Sequence, residues 1–303
     1  MSKHVAVLMG GLSVEREVSL VSGDECARAL ESRGYRVTRV DAGHDLPRKL
    51  DELQPDCVFN ALHGRLGEDG RVQGLLDWMR IPYTHSGVLA SAIAMDKPMA
   101  LRLFGGAGMR TPEGRVMTLA EVLAAPPFDA PYVVKPAAEG SSVGVTIIHE
   151  EDSRALSERN DVDPKARVLV ERYIPGRELT CAILGDRALT VTEIAPNKGF
   201  YDYCAKYTEG YASHILPAPV EETVLQQVQE WSLAAHRLLG CRGVSRSDFR
   251  YDPARGESGL FILEINTQPG MTPLSLVPEQ AAHCGMEFAD LLVELVEAAR
   301  CDF

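Results

Sequence analysis

The feature that most constrains this chain is a change of rhythm near residue 97. Before it, strand and helix patterns alternate. "HVAVLMG" (4–10) is a short apolar run closed by Gly10-Gly11. A helical stretch over 15–33 follows, with Val18, Val21, Ala29 and Leu30 available for its buried face. "YRVTRV" (35–40) reads as strand, Leu46 to Leu53 as a short helix, "DCVFNAL" (56–62) as strand and "RVQGLLDWM" (71–79) as helix. Strands that alternate with helices imply parallel pairing through crossover helices. Residues 1–97 therefore read as one small α/β domain.

Beyond that point strands crowd together. "APYVVKP" (130–136), "VGVTIIH" (143–149), "ARVLVERYI" (166–174), "ELTCAIL" (178–184) and "ALTVTEIAP" (188–196) leave room only for short helical stretches, which favours antiparallel pairing. Residues 197–213 have no regular period and are rich in Tyr, Gly and Lys. A loop that long is uncommon unless it is a lid or disordered. Val224, Val228, Trp231, Ala235 and Leu238 form a helical stripe over 221–239. Strands at 243–251 and 260–266 flank the turn signal "DPARGESG", and a last helix spans 287–299.

With 303 residues, 45% hydrophobic and 24% charged, the chain has room for two or three modest domains. A net charge of -12 and a pI near 5.2 argue against nucleic-acid binding. The seven cysteines are odd in number and show no CxxC or Cys/His ligand spacing, which fits a reducing cytosol. "MSKHVAVLMGG" is too short in apolar residues for a signal peptide, and no uncharged apolar run reaches the length of a membrane span. A cytoplasmic protein is expected.

Two constellations carry chemistry. "VSRSDFRY" (244–251) places Arg246 and Asp248 two apart, and "FILEIN" (261–266) does the same for Glu264 and Asn266. Residues two apart share a strand face. If the strands form a hairpin whose register pairs even with even numbers, Asp248 opposite Glu264 for example, all four meet on one face. Three oxygen donors without Cys or His suit a hard cation such as Mg2+. The alternative is a solvated face on which Arg246 pairs with Glu264.

The second constellation is "YVVKPAAEGSSVGVTII". Lys135 ends a strand, and Gly140, Ser141, Ser142 and Gly144 make a loop of backbone and hydroxyl donors before the next strand. Such a loop can close over phosphate oxygens. It is no Walker A motif, because no GxxxxGK[ST] occurs, and a plain hairpin is the competing reading. Lys97 in "MDKPMA" is a second candidate cation. Together with the Tyr/Lys-rich loop, these features point to a nucleoside-triphosphate site between two layers, with metal on one side and a cover on the other.

The motifs in order resemble those of the D-alanine–D-alanine ligases of the ATP-grasp superfamily, over nearly the whole chain. They are "GGLSVEREVSL" (10–20), "ALHGRLGEDG" (61–70), "PYTHSGVLASAIAMDK" (82–97), "VKPAAEGSSVGV" (134–145), "GFYDYCAKY" (199–207), "SRSD" (245–248) and "EINTQPGMTPLSLVP" (264–278). The resemblance implies a mixed α/β and α+β chain of three domains: an N-terminal Rossmann-like, parallel α/β domain over 1–97, a central ATP-grasp subdomain over 98–180, and a C-terminal one over 181–303 with a lid at 197–213. It implies ATP and two Mg2+ ions, with Mn2+ as an alternative, D-alanine as substrate, and a homodimer.

By the same resemblance, Lys97 and Lys135 contact ATP phosphates, and Glu171, Ile174 and Glu178 lie around adenine and ribose, with Lys206 also at the nucleotide. Asp248, Glu264 and Asn266 hold the metals. Glu15 takes the ammonium of the first D-alanine, beside His63, and Ser141 and Tyr207 link to Glu15 to hold the lid shut. Arg246 and the Gly270 N–H stabilise the oxyanion. Ser275 binds the second substrate's carboxylate and Leu276 lines its pocket. Taken singly these residues have plainer readings: Glu15 as an acid in a helix's first turn, His63 as a structural histidine, Tyr207 as a loop tyrosine and Leu276 as packing. Arg172, Gln268 and Cys204 stand where relatives often carry lysine, serine and an acid. Relatives that make D-alanyl-D-lactate often lack the lid tyrosine, so Tyr207 favours an amine as second substrate. D-Lactate or D-serine as acceptor, and a non-catalytic nucleotide-binding protein, are the competing expectations.

Overall fold

The computed structural model of the chain describes residues 2–138, 144–149, 163–196 and 212–302. Ser141, Cys204, Lys206 and Tyr207 lie outside the described residues, as does the expected lid apart from its last two positions. Ala212 and Ser213 belong to a strand rather than a loop.

The N-terminal part builds a parallel sheet of order β2-β1-β3, from β1 (His4–Met9), β2 (Arg36–Asp41) and β3 (Cys57–Asn60). Helices α1 (Arg16–Ser32), α2 (Leu46–Leu53) and α3 (Arg71–Trp78) follow the strands in turn. Central β1 is buried at every position, as a strand covered on both faces must be. The buried face of α1 differs from the expectation. Val21 is exposed, and Ser19, Ser22, Gly23, Cys26, Ala27 and Leu30 face inward. The reason is a close approach: a Cβ on Gly23 would overlap the Met9 side chain, so small residues must line the contact.

Two antiparallel sheets follow. One has the order β4-β7-β5-β6: β4 (Gly114–Thr118), β7 (Arg167–Arg172), β5 (Tyr132–Pro136) and β6 (Thr146–Ile148). The other has the order β10-β9-β8-β11-β12: β10 (Ala212–Ile215), β9 (Arg187–Pro196), β8 (Arg177–Leu184), β11 (Val244–Tyr251) and β12 (Leu260–Asn266). Helices α4 (Val88–Met95), α5 (Lys97–Gly106) and α6 (Leu119–Ala124) went unread in the sequence. Asp96 caps α5 by accepting a hydrogen bond from the Met99 N–H at 3.1 Å, and Pro98 sits in its first turn. Thr118 and Glu121 form a capping box on α6.

Helix α7 (Glu222–Leu239) buries Val224, Val228, Ala235 and Leu239 against the five-stranded sheet. Leu238 is exposed, contrary to the expected stripe, because the inward face turns toward Ser232, His236 and Leu239. "DPARGESG" is more than a turn: Pro253–Gly259 form a 3-10 helix. Helices α8 (Leu276–His283) and α9 (Phe288–Glu297) close the described chain. Leu291, Leu292, Leu295 and Val296 of α9 share a core with Val5, Val7, Leu30 and Phe59, so the end of the chain packs on its beginning. No helix of the described residues is long and apolar enough to cross a membrane.

Candidate active site

Asp248 on β11 stands directly across from Glu264 on β12, and Arg246 directly across from Asn266. This is the even-with-even register the spacing predicts. A shift in register between Asp248 and Phe249 then changes the pairing, so that Phe249 faces Ile262. The irregularity separates the polar end of the pair from the apolar end, where Phe249, Tyr251, Leu260 and Ile262 enter the core.

Arg246 grips Asp248. Its Nε donates to Oδ1 at 2.8 Å and its Nη2 to Oδ2 at 2.7 Å, a bidentate fork between buried side chains. Thr180, paired with Asp248 from β8, donates its hydroxyl to Oδ1 at 2.6 Å. Glu264 pairs with Lys97 Nζ at 3.2 Å. Lys97 opens α5, and its N–H donates to the Ala137 carbonyl at 3.1 Å, tying that helix end to the segment that follows β5. Lys135 on β5 meets Glu171 on β7 at 2.6 Å, and both are buried. Glu178 lies 3.8 Å from Arg250, which also donates to the carbonyls of Ile174 at 3.1 Å and Gly176 at 2.8 Å. The bend between β7 and β8 is thereby strapped down.

Could these groups hold a divalent cation? Among the described residues no three His, Cys, Asp or Glu side chains converge on one point. The donors are two facing carboxylates and one amide. That set fits Mg2+, which keeps several waters and takes a few carboxylates plus substrate phosphate oxygens.

A second group gathers around the end of β3. Glu15 precedes the first turn of α1 and is buried, with its carboxylate packed so closely on Gly64 that a Cβ there would overlap Oε2. His63 is buried with Nδ1 3.1 Å from Glu68 Oε1. Its Nε2 has no hydrogen-bond partner among the described residues. Ser13 braces the backbone here, its hydroxyl donating to the His63 carbonyl at 2.7 Å. Nearby His85 is held neutral: burial lowers its pKa to about 3, and its neighbours His63 and Arg242 act in the same direction.

The segment after β12 joins the two groups. Asn266 Oδ1 accepts from the Gln268 N–H at 2.7 Å. Cys26 Sγ lies 3.4 Å from the Met271 carbonyl. Ser275 precedes α8, and its hydroxyl turns back to the loop, 2.8 Å from Thr272 Oγ1 and accepting from the Thr272 N–H at 3.1 Å. A Cβ on Gly270 would sit 3.1 Å from Ser275 Oγ, so the two residues are close neighbours. Leu276 is buried at the start of α8.

The arrangement supplies cations, carboxylates and hydrogen-bond donors. Burial pushes the Cys57 thiol up to about 11 and the Cys181 thiol up to about 12, which disfavours the reactive thiolate. Such a site is suited to position two reactants and neutralise charge on transferring phosphoryl oxygens.

Comparison with known proteins decides the family. Residues 41–86 match the family model described as D-ala D-ala ligase N-terminus, and residues 115–297 match D-ala D-ala ligase C-terminus. The D-alanine–D-alanine ligase of Cereibacter sphaeroides is 57% identical over 298 residues, spanning 98% of this chain and 96% of that protein. This chain belongs to the D-alanine–D-alanine ligase family. The D-alanine–D-alanine ligase of Xanthobacter autotrophicus is 56% identical, covering 99% of both chains. A crystal structure of the D-alanine–D-alanine ligase from Bacillus anthracis complexed with ATP has a TM-score of 0.81 at 31% identity, covering 98% of this chain and 97% of that one. The architecture is therefore the ATP-grasp fold of these ligases, with a parallel sheet at the N-terminus.

Some residues at the site have no clear signal in the sequence. Thr180 bonds Asp248 only because β8 lies beside β11, and no local pattern announces that pairing. Glu68 is the partner of His63; the five-residue spacing within "ALHGRLGEDG" is its only trace.

Proposed function

We propose that this protein is an ADP-forming ligase that joins two D-alanines into D-alanyl-D-alanine at the expense of ATP, for peptidoglycan precursor synthesis. The observation that carries the reading is the facing pair Asp248 and Glu264, with Lys97 on one carboxylate and Arg246 on the other.

A carboxylate is a poor electrophile, because its charge repels nucleophiles. One oxygen of the first D-alanine's carboxylate attacks the γ-phosphorus of ATP, the bond to the β–γ bridging oxygen breaks, and ADP leaves. The product is D-alanyl phosphate. The neutral amine of the second D-alanine then attacks its carbonyl carbon. The tetrahedral oxyanion collapses, phosphate departs with the original carboxylate oxygen, and the amine loses a proton.

Lys97 and Lys135 neutralise the phosphoryl oxygens, while Glu171, Ile174, Glu178 and Lys206 hold the rest of the nucleotide. Asp248, Glu264 and Asn266 are the residues that would hold Mg2+, which when bound offsets phosphate charge. Glu15 takes the first ammonium, His63 packs beside that substrate, and Ser141 and Tyr207 close over it. Arg246 and the Gly270 N–H receive the oxyanion; one such donor contributes about 3 kcal/mol. Ser275 and Leu276 receive the second substrate. A cover matters because the acyl phosphate would otherwise meet water.

We place the domain limits near residues 97 and 180. The enzyme acts in the cytoplasm as a homodimer joined through its N-terminal part, where the exposed apolar side chains of Val14, Trp78 and Leu89 support a contact between copies. A monomeric mass in solution scattering would count against the dimer.

The test is phosphate release from ATP and Mg2+ over a panel of D-alanine, D-serine and D-lactate, with products identified by mass. Release with D-alanine alone, yielding the dipeptide, is expected; release only when D-lactate or D-serine is the acceptor would reassign the second substrate.

A further inference from the structure

Among the described residues, the five-stranded sheet that carries Asp248 and Glu264 and the parallel sheet whose strand β3 leads into His63 share no strand pairing. Yet the reaction needs groups from both within ångströms of one carbon atom. Something must set the distance between them. A polar link between the two sides that lies next to the candidate site is a side-chain amide, Gln268.

Gln268 follows β12 and is fully buried, as is Asn60 at the end of β3. The two residues meet through two hydrogen bonds. Gln268 Nε2 donates to the Asn60 carbonyl, and Asn60 Nδ2 donates to Gln268 Oε1 at 3.2 Å. The remaining capacity of Asn60 reaches into the His63 loop: Nδ2 also donates to the Gly67 carbonyl at 3.0 Å, and Oδ1 accepts from the Leu62 N–H at 3.1 Å. Gln73 Nε2 adds a bond to the same Gly67 carbonyl at 2.9 Å. On the other side, the Gln268 backbone N–H is held by Asn266 Oδ1. An unbroken run of hydrogen bonds thus leads from Asn266 through Gln268 and Asn60 to the residues that flank His63 and Glu68.

This run is directional, and both ends of the Gln268 amide are engaged: the nitrogen donates and the oxygen accepts. No apolar contact fixes relative position so sharply, because apolar packing is non-directional. A buried amide that loses its partner carries the full desolvation cost, so the two sides cannot slide without breaking both bonds.

We propose that Gln268 is a positioning residue that locks the Asn266–Gly270 segment to the first-substrate loop. The inference rests on the ligase reading above. Its role is to hold the Gly270 N–H and the acyl carbonyl in register while the second amine attacks. Phosphoryl transfer depends mainly on Lys97, Lys135, Asp248 and Glu264, so the lock acts chiefly on the second step. A slack lock leaves acyl phosphate formation working and lets its product fall to water.

The experiment compares the full-length wild type with Gln268→Glu and Gln268→Leu. Glutamate has the same length but sets an oxygen against the Asn60 carbonyl; leucine keeps most of the volume and makes neither hydrogen bond. Three quantities are read per folded molecule: kcat for dipeptide, KM for ATP, and the ratio of phosphate released to dipeptide formed. Misplacement by about 1 Å costs roughly 100-fold in rate. The expected result is a loss of dipeptide kcat on the order of 100-fold in both variants, KM for ATP within about two-fold of wild type, and a phosphate-to-dipeptide ratio above one. A merely structural glutamine would lower the melting temperature and leave the ratio at one. That outcome, or an unchanged kcat, overturns the proposal, and one folded variant of the pair is enough to distinguish the outcomes. If the wild type itself released no phosphate with D-alanine, the ligase reading would fail instead, so the two failures are distinguishable.

Discussion

Asp248 and Glu264 face one another across adjacent antiparallel strands, and each carboxylate is met by a cation from a different direction: Arg246 from its own strand, Lys97 from the first residue of α5. Two acids so placed would repel if left alone. With both cations in place they form a charge-balanced face. Replacing Glu264 with Gln keeps the shape and removes one charge. The Mg2+ concentration needed for half-maximal activity should rise by roughly 100-fold, a shift large even against those seen for outer-shell partners. A Mg2+ titration of initial rates reads this directly, and an unshifted midpoint would remove Glu264 from the metal set.

Lys135 Nζ and Glu171 Oε2 form a buried pair 2.6 Å apart, and Glu171 Oε1 has no hydrogen-bond partner among the described residues. Breaking one side of such a pair strands a buried charge. Lys135→Met should therefore cost about 3–5 kcal/mol of stability, and the double variant Lys135→Met with Glu171→Leu should recover most of it. Urea unfolding of the three proteins measures both. Equal losses in single and double variants would show that the pair matters only through packing.

Gly64 serves two ends at once. Its φ of +71° suits glycine, and Glu15 Oε2 occupies the space a side chain would need. Gly64→Ala should strain the backbone by about 1–2 kcal/mol and push Glu15 aside. The KM for the first D-alanine should rise by roughly 100-fold, with the KM for ATP little changed. Equal changes in both constants would point to a general disturbance instead.

His85 gives the fold a dependence on acidity. Its ordinary pKa is 6.5, and burial, with His63 and Arg242 nearby, holds it near 3 in the folded protein. Unfolded chains bind this proton below about pH 6.5 and the folded one does not, so stability is complete above that point and falls as the pH drops toward 3. The slope from one such group is about 1.4 kcal/mol per pH unit. His85→Asn, which tolerates the positive φ of 70° at this position, should flatten the profile between pH 5 and 6 by that amount. An unaltered slope would assign the acid sensitivity elsewhere.

The sequence is most informative where chemistry and periodicity coincide. Glu264 and Asn266 interrupt an apolar strand at a spacing of two, and that interruption locates the acidic face without any knowledge of pairing. Gly10-Gly11 and Pro269-Gly270 likewise mark real strand ends. What stays hidden is non-local. The partnership of Lys97 with Glu264 has no local trace until α5 carries the lysine there, and nothing near Gln268 announces Asn60, which β3 brings beside it. Helix α1 shows a further limit: its inward face is set by how closely Met9 approaches Gly23, a distance no hydrophobic pattern encodes.

The path of one oxygen atom separates acyl phosphate chemistry from its alternatives. If the first D-alanine is activated as an acyl phosphate, one of its carboxylate oxygens must leave with the phosphate. Turnover of D-alanine labelled with oxygen-18 in the carboxylate, followed by mass analysis of the released phosphate, should find one labelled oxygen per phosphate and one dipeptide per phosphate in the wild type. Phosphate carrying no label would contradict it.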